Sequence, residues 1–208
     1  ADWNLNGVYQ YQSGGLSFTF SNVESLTGGS DNDSFNFIGA ANFAGSIDGG
    51  LGVNTLDYSA FSGRVSVDLQ TNTASGLTST FANIASLVGS PQADTLLGTT
   101  GNDNFMVNVA NSGTVGAFSF ASFEHLDGRA GVDTLSFAGF TSARDVRLTG
   151  FGATDGFDGT EASLGGGFYN INTLVGSGQI GDTLRGLNQA ATWTVNGLNN
   201  QYQANPTL

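Results

Sequence analysis

Apolar positions in this chain alternate over short stretches, and one such stretch occurs three times. Residues 47–58 read IDGGLGVNTLDY, residues 126–137 read LDGRAGVDTLSF, and residues 26–37 read LTGGSDNDSFNF. In each copy an apolar residue is followed by glycine two positions later and by Asp or Asn at the seventh, with apolar residues at the ninth and eleventh. The closing alternation predicts a half-buried strand, and the Gly and Asx positions predict the turn before it.

A second pattern, F-x-[NS]-[VIF]-x-x-L, occurs four times, at residues 20–26, 81–87, 120–126 and 168–174. Apolar residues three apart are also typical of one helical turn, but a segment of seven residues is too short for a stable helix. We therefore predict a strand that turns a corner near the Asn or Ser and resumes before the Leu.

The apolar residues that mark these motifs recur about every 21 residues. They are Leu5, Leu26, Ile47, Leu69, Leu87, Val107, Leu126, Leu148, Leu174 and Val195. A repeat of this length is typical of one coil of parallel strands that bond to the coils above and below. The prediction is an all-β fold: one parallel β-solenoid domain over residues 1–208, of about ten coils, with internal repeats near 1–102 and 103–208 and a glycine-rich corner insertion near 151–167.

The corner residues carry two further predictions. Glycine two positions after the marking residue is expected to adopt positive φ and so reverse the chain tightly. These glycines are Gly28, Gly49, Gly89, Gly128 and Gly176. The Asx residues are expected to cap turn amides and to form ladders along the stack. They are Asp33, Asn54, Asp94, Asp133 and Asp182.

The beginning of the sequence recurs near its end. DWNLNG at residues 2–7 returns as TWTVNG at residues 192–197. Because the last coil resembles the first and neither end carries a recognisable cap, copies are expected to stack head to tail. The predicted assembly interface comprises Trp3, Leu5, Trp193 and Val195. The sequence fits both one period of a tandem array and a subunit that polymerises.

Composition narrows the class of protein. The chain has 17 acidic residues, five arginines, no lysine and a net charge of −12, so that a nucleic-acid partner is excluded. The absence of cysteine excludes disulfides and thiolate metal sites and fits a chain that is secreted without oxidative folding. No apolar run is long enough to span a membrane. We predict an extracellular or bacterial cell-surface location.

Little in the sequence points to catalysis. The single histidine, His125, forms no metal cluster, and paired carboxylates such as Asp31 with Asp33 lack the basic groove that a polysaccharide-cleaving site needs. Trp3 and Trp193 occupy equivalent places and are expected to pack at a corner or a subunit contact. Their alternative role is stacking on polysaccharide. No catalytic residue is predicted, and an enzyme or lectin acting on polysaccharide is the weakest alternative.

Two family resemblances extend these predictions. GSPQADTLL at residues 89–97, followed by GTTGNDNFM at 98–106, resembles the G-G-x-G-x-D-x-U-x nonapeptide of RTX-type proteins. That resemblance implies a calcium-binding β-roll with Asp94 and Asp103 as ligands, although most copies here stand alone and some replace the aspartate. Calcium is therefore the one cofactor considered.

The second resemblance covers nearly the whole chain. TWTVNG, FSNVESLTGG and GVNTLDYS are similar to the long tandem repeats of haemagglutinin-like and adhesin-like bacterial surface proteins. This resemblance implies an extended extracellular stalk or filament. The predicted function is a non-catalytic structural protein whose partner is itself, and the alternative is a calcium-binding module of a secreted protein.

Overall fold

The computed structural model describes residues 1–195 and 200–204, and these residues form strands, turns and bends without a helix. The predicted all-β class is confirmed. In chain order the strands are β1 (Asp2–Leu5), β2 (Tyr9–Ser13), β3 (Leu16–Phe20), β4 (Ser25–Thr27), β5 (Ser34–Gly39), β6 (Ser46–Asp48), β7 (Thr55–Phe61), β8 (Ser66–Asp68), β9 (Thr73–Ala74), β10 (Phe81–Ala82), β11 (Ser86–Val88), β12 (Thr95–Leu97), β13 (Asn104–Val109), β14 (Ser112–Val115), β15 (Phe118–Ala121), β16 (His125–Asp127), β17 (Thr134–Ser136), β18 (Asp145–Phe151), β19 (Phe157–Glu161), β20 (Leu164–Ile171), β21 (Thr173–Val175), β22 (Thr183–Arg185), β23 (Ala191–Thr194) and β24 (Gln201–Ala204).

The strands form two long sheets, one short sheet and a separate hairpin. The eleven-stranded sheet has the order β21-β17-β13-β14-β15-β11-β7-β5-β1-β2-β3, and the eight-stranded sheet has the order β22-β18-β19-β20-β16-β12-β8-β9. The short sheet is β10-β6-β4, and β23 pairs only with β24 among the described strands. Across residues 1–195 and 200–204, no helix long and apolar enough to cross a membrane occurs.

Much of the chain passes repeatedly from one sheet to another. One such passage out and back is called a circuit here. Because of these circuits, strands that are neighbours in a sheet are far apart in sequence and run parallel. Phe35 of β5 lies opposite Leu56 of β7, and Leu96 of β12 lies opposite Leu126 of β16. All four side chains are fully buried or nearly so, and the core is a continuous column of such residues.

Three antiparallel meanders interrupt the parallel pairing, and the sequence did not predict them. They are β1-β2-β3, β13-β14-β15 and β18-β19-β20. In the two internal meanders the first strand pairs in parallel with a later strand and the third strand with an earlier one. The segment 151–167, predicted as a corner insertion, forms much of the third meander.

The meanders also change the spacing of the circuits. Bonded corner residues are 21 positions apart for Asp33 and Asn54, but 30 apart for Asp103 and Asp133. The corners are therefore spaced less regularly than the predicted period near 21 residues. A meander advances its sheet by three strands at once, and the marking residues fall in different sheets rather than at one place on each coil.

The F-x-[NS] motifs form corners as predicted. The Asn or Ser of each motif has a left-handed backbone, with φ of 55° at Asn22, 53° at Asn83, 59° at Ser122 and 54° at Asn170. At Asn22, Asn83 and Ser122 one strand ends just before this residue and another begins shortly after it, whereas Asn170 is the penultimate residue of β20. Asn tolerates this conformation better than most residues with a side chain, which explains its frequency in the motif.

The predicted reason for the corner glycines is wrong. None of Gly28, Gly49, Gly89, Gly128 and Gly176 has positive φ. Instead, a Cβ atom on Gly89 would lie 2.0 Å from the carbonyl oxygen of Ser122, and one on Gly49 would lie 2.2 Å from that of Asn83. The backbone of the neighbouring circuit lies directly against these corners, and that leaves no room for a side chain.

This contact yields a stability prediction. Gly89→Ala should lower the free energy of unfolding by about 1–3 kcal/mol, because a methyl group must push two backbones apart. Gly150→Ala is the matched control, since nothing lies within 4 Å of a Cβ atom there and its φ is not positive. Urea unfolding of both variants measures the effect. Equal stability of the two variants would contradict the close approach.

Candidate assembly ends and acidic corners

Asx side chains join each corner to the next. The Oδ2 atom of Asp33 accepts the N–H of Gly29 in its own turn at 2.8 Å, and Oδ1 of Asn54 accepts the N–H of Asp33 at 2.9 Å. A later corner repeats the second bond, with Oδ1 of Asp133 accepting the N–H of Asp103 at 2.8 Å. The predicted capping role is confirmed, and the bonds between circuits extend it into ladders.

The two predicted calcium ligands lie in different corners. Asp94 precedes β12 in the eight-stranded sheet, and its fully buried carboxylate accepts the N–H of Val65 at 2.6 Å and the hydroxyl of Ser90 at 2.9 Å. Asp103 precedes β13 in the eleven-stranded sheet, and its Oδ2 accepts the N–H of Thr99 at 2.6 Å. Within the described residues no group of three or more His, Asp or Glu side chains could hold a metal ion. Calcium binding stays a prediction.

Asp133 is a fully buried acid whose second oxygen is unsatisfied. Its Oδ2 atom has no hydrogen-bond partner among the described residues. The pKa of Asp133 is raised to about 6, chiefly by burial. The hydrogen bond from the Asp103 amide opposes this rise, and the nearby carboxylates of Asp103, Asp155 and Asp127 add to it. Sequence reasoning grouped this residue with the other corner acids and missed the difference.

The corresponding residue in the first ladder shows what Asp133 lacks. Asn54 donates from Nδ2 to the carbonyl oxygen of Asn83 at 3.0 Å. At the Asp133 corner, a Cβ atom built on Gly128 would lie 2.6 Å from both the carbonyl oxygen of Asn170 and Oδ2 of Asp133. Two acceptors therefore border the same glycine where the first ladder has a donor and an acceptor. A proton on Asp133 would supply the missing donor.

One end of the fold presents an apolar strand with one edge that has no partner among the described strands. β3 is the last strand of the eleven-stranded sheet, and its Leu16 and Phe18 are 79% and 66% exposed. Beside it lies a groove of about 250 Å³, lined mainly by apolar side chains. Trp3 borders this groove, half-buried and stacked on Phe35 at 5.7 Å. Leu5, also predicted at the interface, is fully buried in the core and offers no contact surface.

The hairpin β23-β24 at the other end is a structural copy of β1-β2. Trp193 lies opposite Tyr202 as Trp3 lies opposite Tyr11. In both pairs the ring centroids are 4.6 Å apart and the ring planes are inclined at 56°. Trp193 and Val195 are exposed, as an interface prediction requires. A cleft of about 560 Å³ separates this hairpin from β21.

Protein-family models, curated proteins and solved structures gave no match to the chain. The resemblances to RTX-type proteins and to adhesin-like repeats therefore stay predictions, and the function has to be argued from the structure.

The buried acid predicts an unusual pH dependence. Because the pKa of Asp133 is about 6 in the folded chain and 3.8 ordinarily, the folded state binds a proton that the unfolded state releases between these values. The contribution of Asp133 to stability should therefore rise as the pH falls from about 7 to about 5. Asp133→Asn should raise the free energy of unfolding near pH 7 by about 2 kcal/mol and remove this dependence.

Asp2→Asn is the matched control, because it removes one negative charge from an exposed position of β1. Thermal unfolding across this pH range compares the two variants with the original chain. An Asp133→Asn curve parallel to that of Asp2→Asn would show that Asp133 is ionised and satisfied in the folded state.

Proposed function

We propose that this chain is a non-catalytic structural module of the bacterial exterior, a β-solenoid that continues end to end into a filament or an adhesin stalk. The observation that carries the proposal is the second hairpin. β23-β24 repeats the register and ring geometry of β1-β2, so the end of the unit has the form of its beginning. A module that restarts its own fold is suited to linear continuation.

The surface charge supports the same proposal. With 17 acidic residues against five arginines, the sides of neighbouring rods would repel one another. The ends instead offer strand edges and apolar side chains, among them Phe18 at one end and Val175, 41% exposed, at the other. Association would therefore proceed along the axis rather than sideways.

A two-copy protein tests the proposal. Residues 1–190 followed directly by residues 1–208 should fold as one continuous rod, because the second copy then begins where the hairpin copy begins. We expect a single unfolding transition at a higher temperature than that of one copy, and a particle about twice as long by small-angle scattering.

The matched control joins the same two copies through a flexible Gly/Ser linker inserted after residue 190. If the direct fusion unfolds at the temperature of one copy and scatters like two independently moving particles, as a flexible linker allows, the unit does not continue and the proposal fails.

A calcium-binding module remains the second candidate, favoured by the unpartnered oxygens Asp133 Oδ2 and Asp155 Oδ1. For the structural proposal we expect the same unfolding temperature in chelator and in millimolar calcium, since the corner carboxylates already accept backbone N–H groups. Circular dichroism during heating measures this. Loss of folded structure in chelator would favour the calcium-binding module, because such modules fold only with metal.

A further inference from the structure

We propose that the cleft between β21 and β24 is a slot for one additional strand, and that β3 (Leu16–Phe20) of another copy of this chain is the strand that fills it. The inference rests on the proposed function and specifies its contact. It follows from two parallel contacts within the chain and from one strand partner that each end lacks among the described residues.

The internal meanders show how a third strand is held. β15 lies between β14, to which it is antiparallel, and β11, to which it is parallel. β20 lies in the same way between β19 and β16. In both cases the earlier strand has three residues with leucine at its centre, and this leucine ends an F-x-[NS]-[VIF]-x-x-L motif.

The same pair of residues meets at each of these contacts. Leu87 lies opposite Phe120, and Leu126 lies opposite Phe168. The phenylalanine begins one copy of the motif and the leucine ends the copy before it. Both phenylalanines are nearly fully buried. Phe81 of the second copy lies opposite Ile47, which ends no copy of the motif, so the contact in the short sheet is similar but not the same.

β3 has only half of this arrangement. It pairs with β2, with Tyr11 opposite Phe18, and its other edge ends the sheet among the described strands. Its Phe20 begins the first copy of the motif, as Phe120 begins the third. The sequences F-T-F at 18–20 and F-S-F at 118–120 match, yet Phe18 is 66% exposed while Phe118 is half-buried beside Phe81, with ring centroids 6.4 Å apart. The missing neighbour of β3 is a parallel strand with a leucine opposite Phe20.

β21 has the other half of this arrangement, the strand with the leucine. Its Leu174 ends the fourth copy of the motif, and the strand pairs with β17 through Leu135. By contrast, Leu87 and Leu126 each have a strand on both sides. The second edge of β21 is the opposite end of the same sheet in the part of the chain that the structure describes.

β24 completes the slot. It corresponds to β2, the strand that holds β3, and its only strand partner among the described residues is β23. The cleft of about 560 Å³ lies between β21 and β24 and is lined by Leu148, Phe157, Phe168, Leu174, Leu184 and Tyr202, among others. A strand in this cleft would be parallel to β21 and antiparallel to β24, as β15 is to β11 and β14.

The sequence of β3 matches the shape of the slot. Leu16, Phe18 and Phe20 alternate and so point to one face, toward the apolar floor of the cleft, while Ser17 and Thr19 point away. The internal contacts set the register, with Phe20 opposite Leu174 and Phe18 opposite Tyr202. When a whole second copy binds, its β1 and β2 take the places of their structural copies β23 and β24. Its β2 then forms the wall of the slot that β24 forms in the single chain.

The test adds a labelled peptide of residues 14–22 (GGLSFTFSN) to the full chain, which leaves the hairpin in place. Fluorescence anisotropy should show saturable binding of one peptide per chain. Hydrogen exchange should show new protection of the amides in β21 and β24 and none in β4, an end strand that does not border the cleft. A matched peptide with Phe20→Asp should bind at least tenfold more weakly.

Absence of saturable binding, protection outside β21 and β24, or equal binding of the Phe20→Asp peptide would each overturn the slot. These results are independent of the two-copy protein. If the fusion forms one continuous rod and the peptide does not bind, the proposed function stands and the slot is wrong. If the peptide binds at β21 and β24 while the fusion behaves as two independent particles, the slot stands without the proposed function.

Discussion

The structure depends on direct contact between the backbones of successive corners. At Gly89 the space for a single Cβ atom is taken by a carbonyl oxygen from the next circuit, and at Gly49 the same holds. Backbone groups that approach so closely must be paired, because an unsatisfied buried N–H or C=O is costly. Asx side chains provide part of this pairing, as Asn54 does for Asp33. Glycine for space and Asx for bonding are thus two consequences of one constraint.

In this arrangement the backbone groups of a strand find their hydrogen-bond partners only in the strands of other circuits. Inside the molecule a strand has such a partner on both edges: Leu87 lies opposite Leu56 on one side and opposite Phe120 on the other. At the ends only one edge is paired, and β3 and β21 each have one described partner strand. Unpaired edges of this kind normally attract further strands, and proteins usually cover them or place charges on them. Here the edge strand β3 carries the exposed side chains of Leu16 and Phe18 instead of charges.

Local features of the fold could be predicted from the sequence, and long-range features could not. The corners at Asn22 and Asn83 follow from a residue type that tolerates positive φ between two strands. The meanders were missed because an alternating apolar pattern is the same in a parallel and an antiparallel strand. The glycine at position 89 was misinterpreted because its neighbour, Ser122, is distant in sequence. Asp133 and Asn54 occupy matching motif positions. Their roles differ because Oδ2 of Asp133 has no hydrogen-bond partner among the described residues.

The contact between the phenylalanine of one motif and the leucine of the preceding motif connects the interior of the unit with its boundary. It occurs between Leu87 and Phe120 and between Leu126 and Phe168, both within the chain. Leu26 and Phe81 both lie opposite Ile47 instead. Leu174 and Phe20 have no partner of this kind among the described strands, and they lie at opposite ends of one sheet. A junction in which Phe20 of one copy lies opposite Leu174 of another would use the same contact as the interior. The same contact would then recur at the boundary between two copies. This recurrence would explain why the last hairpin has the form of the first.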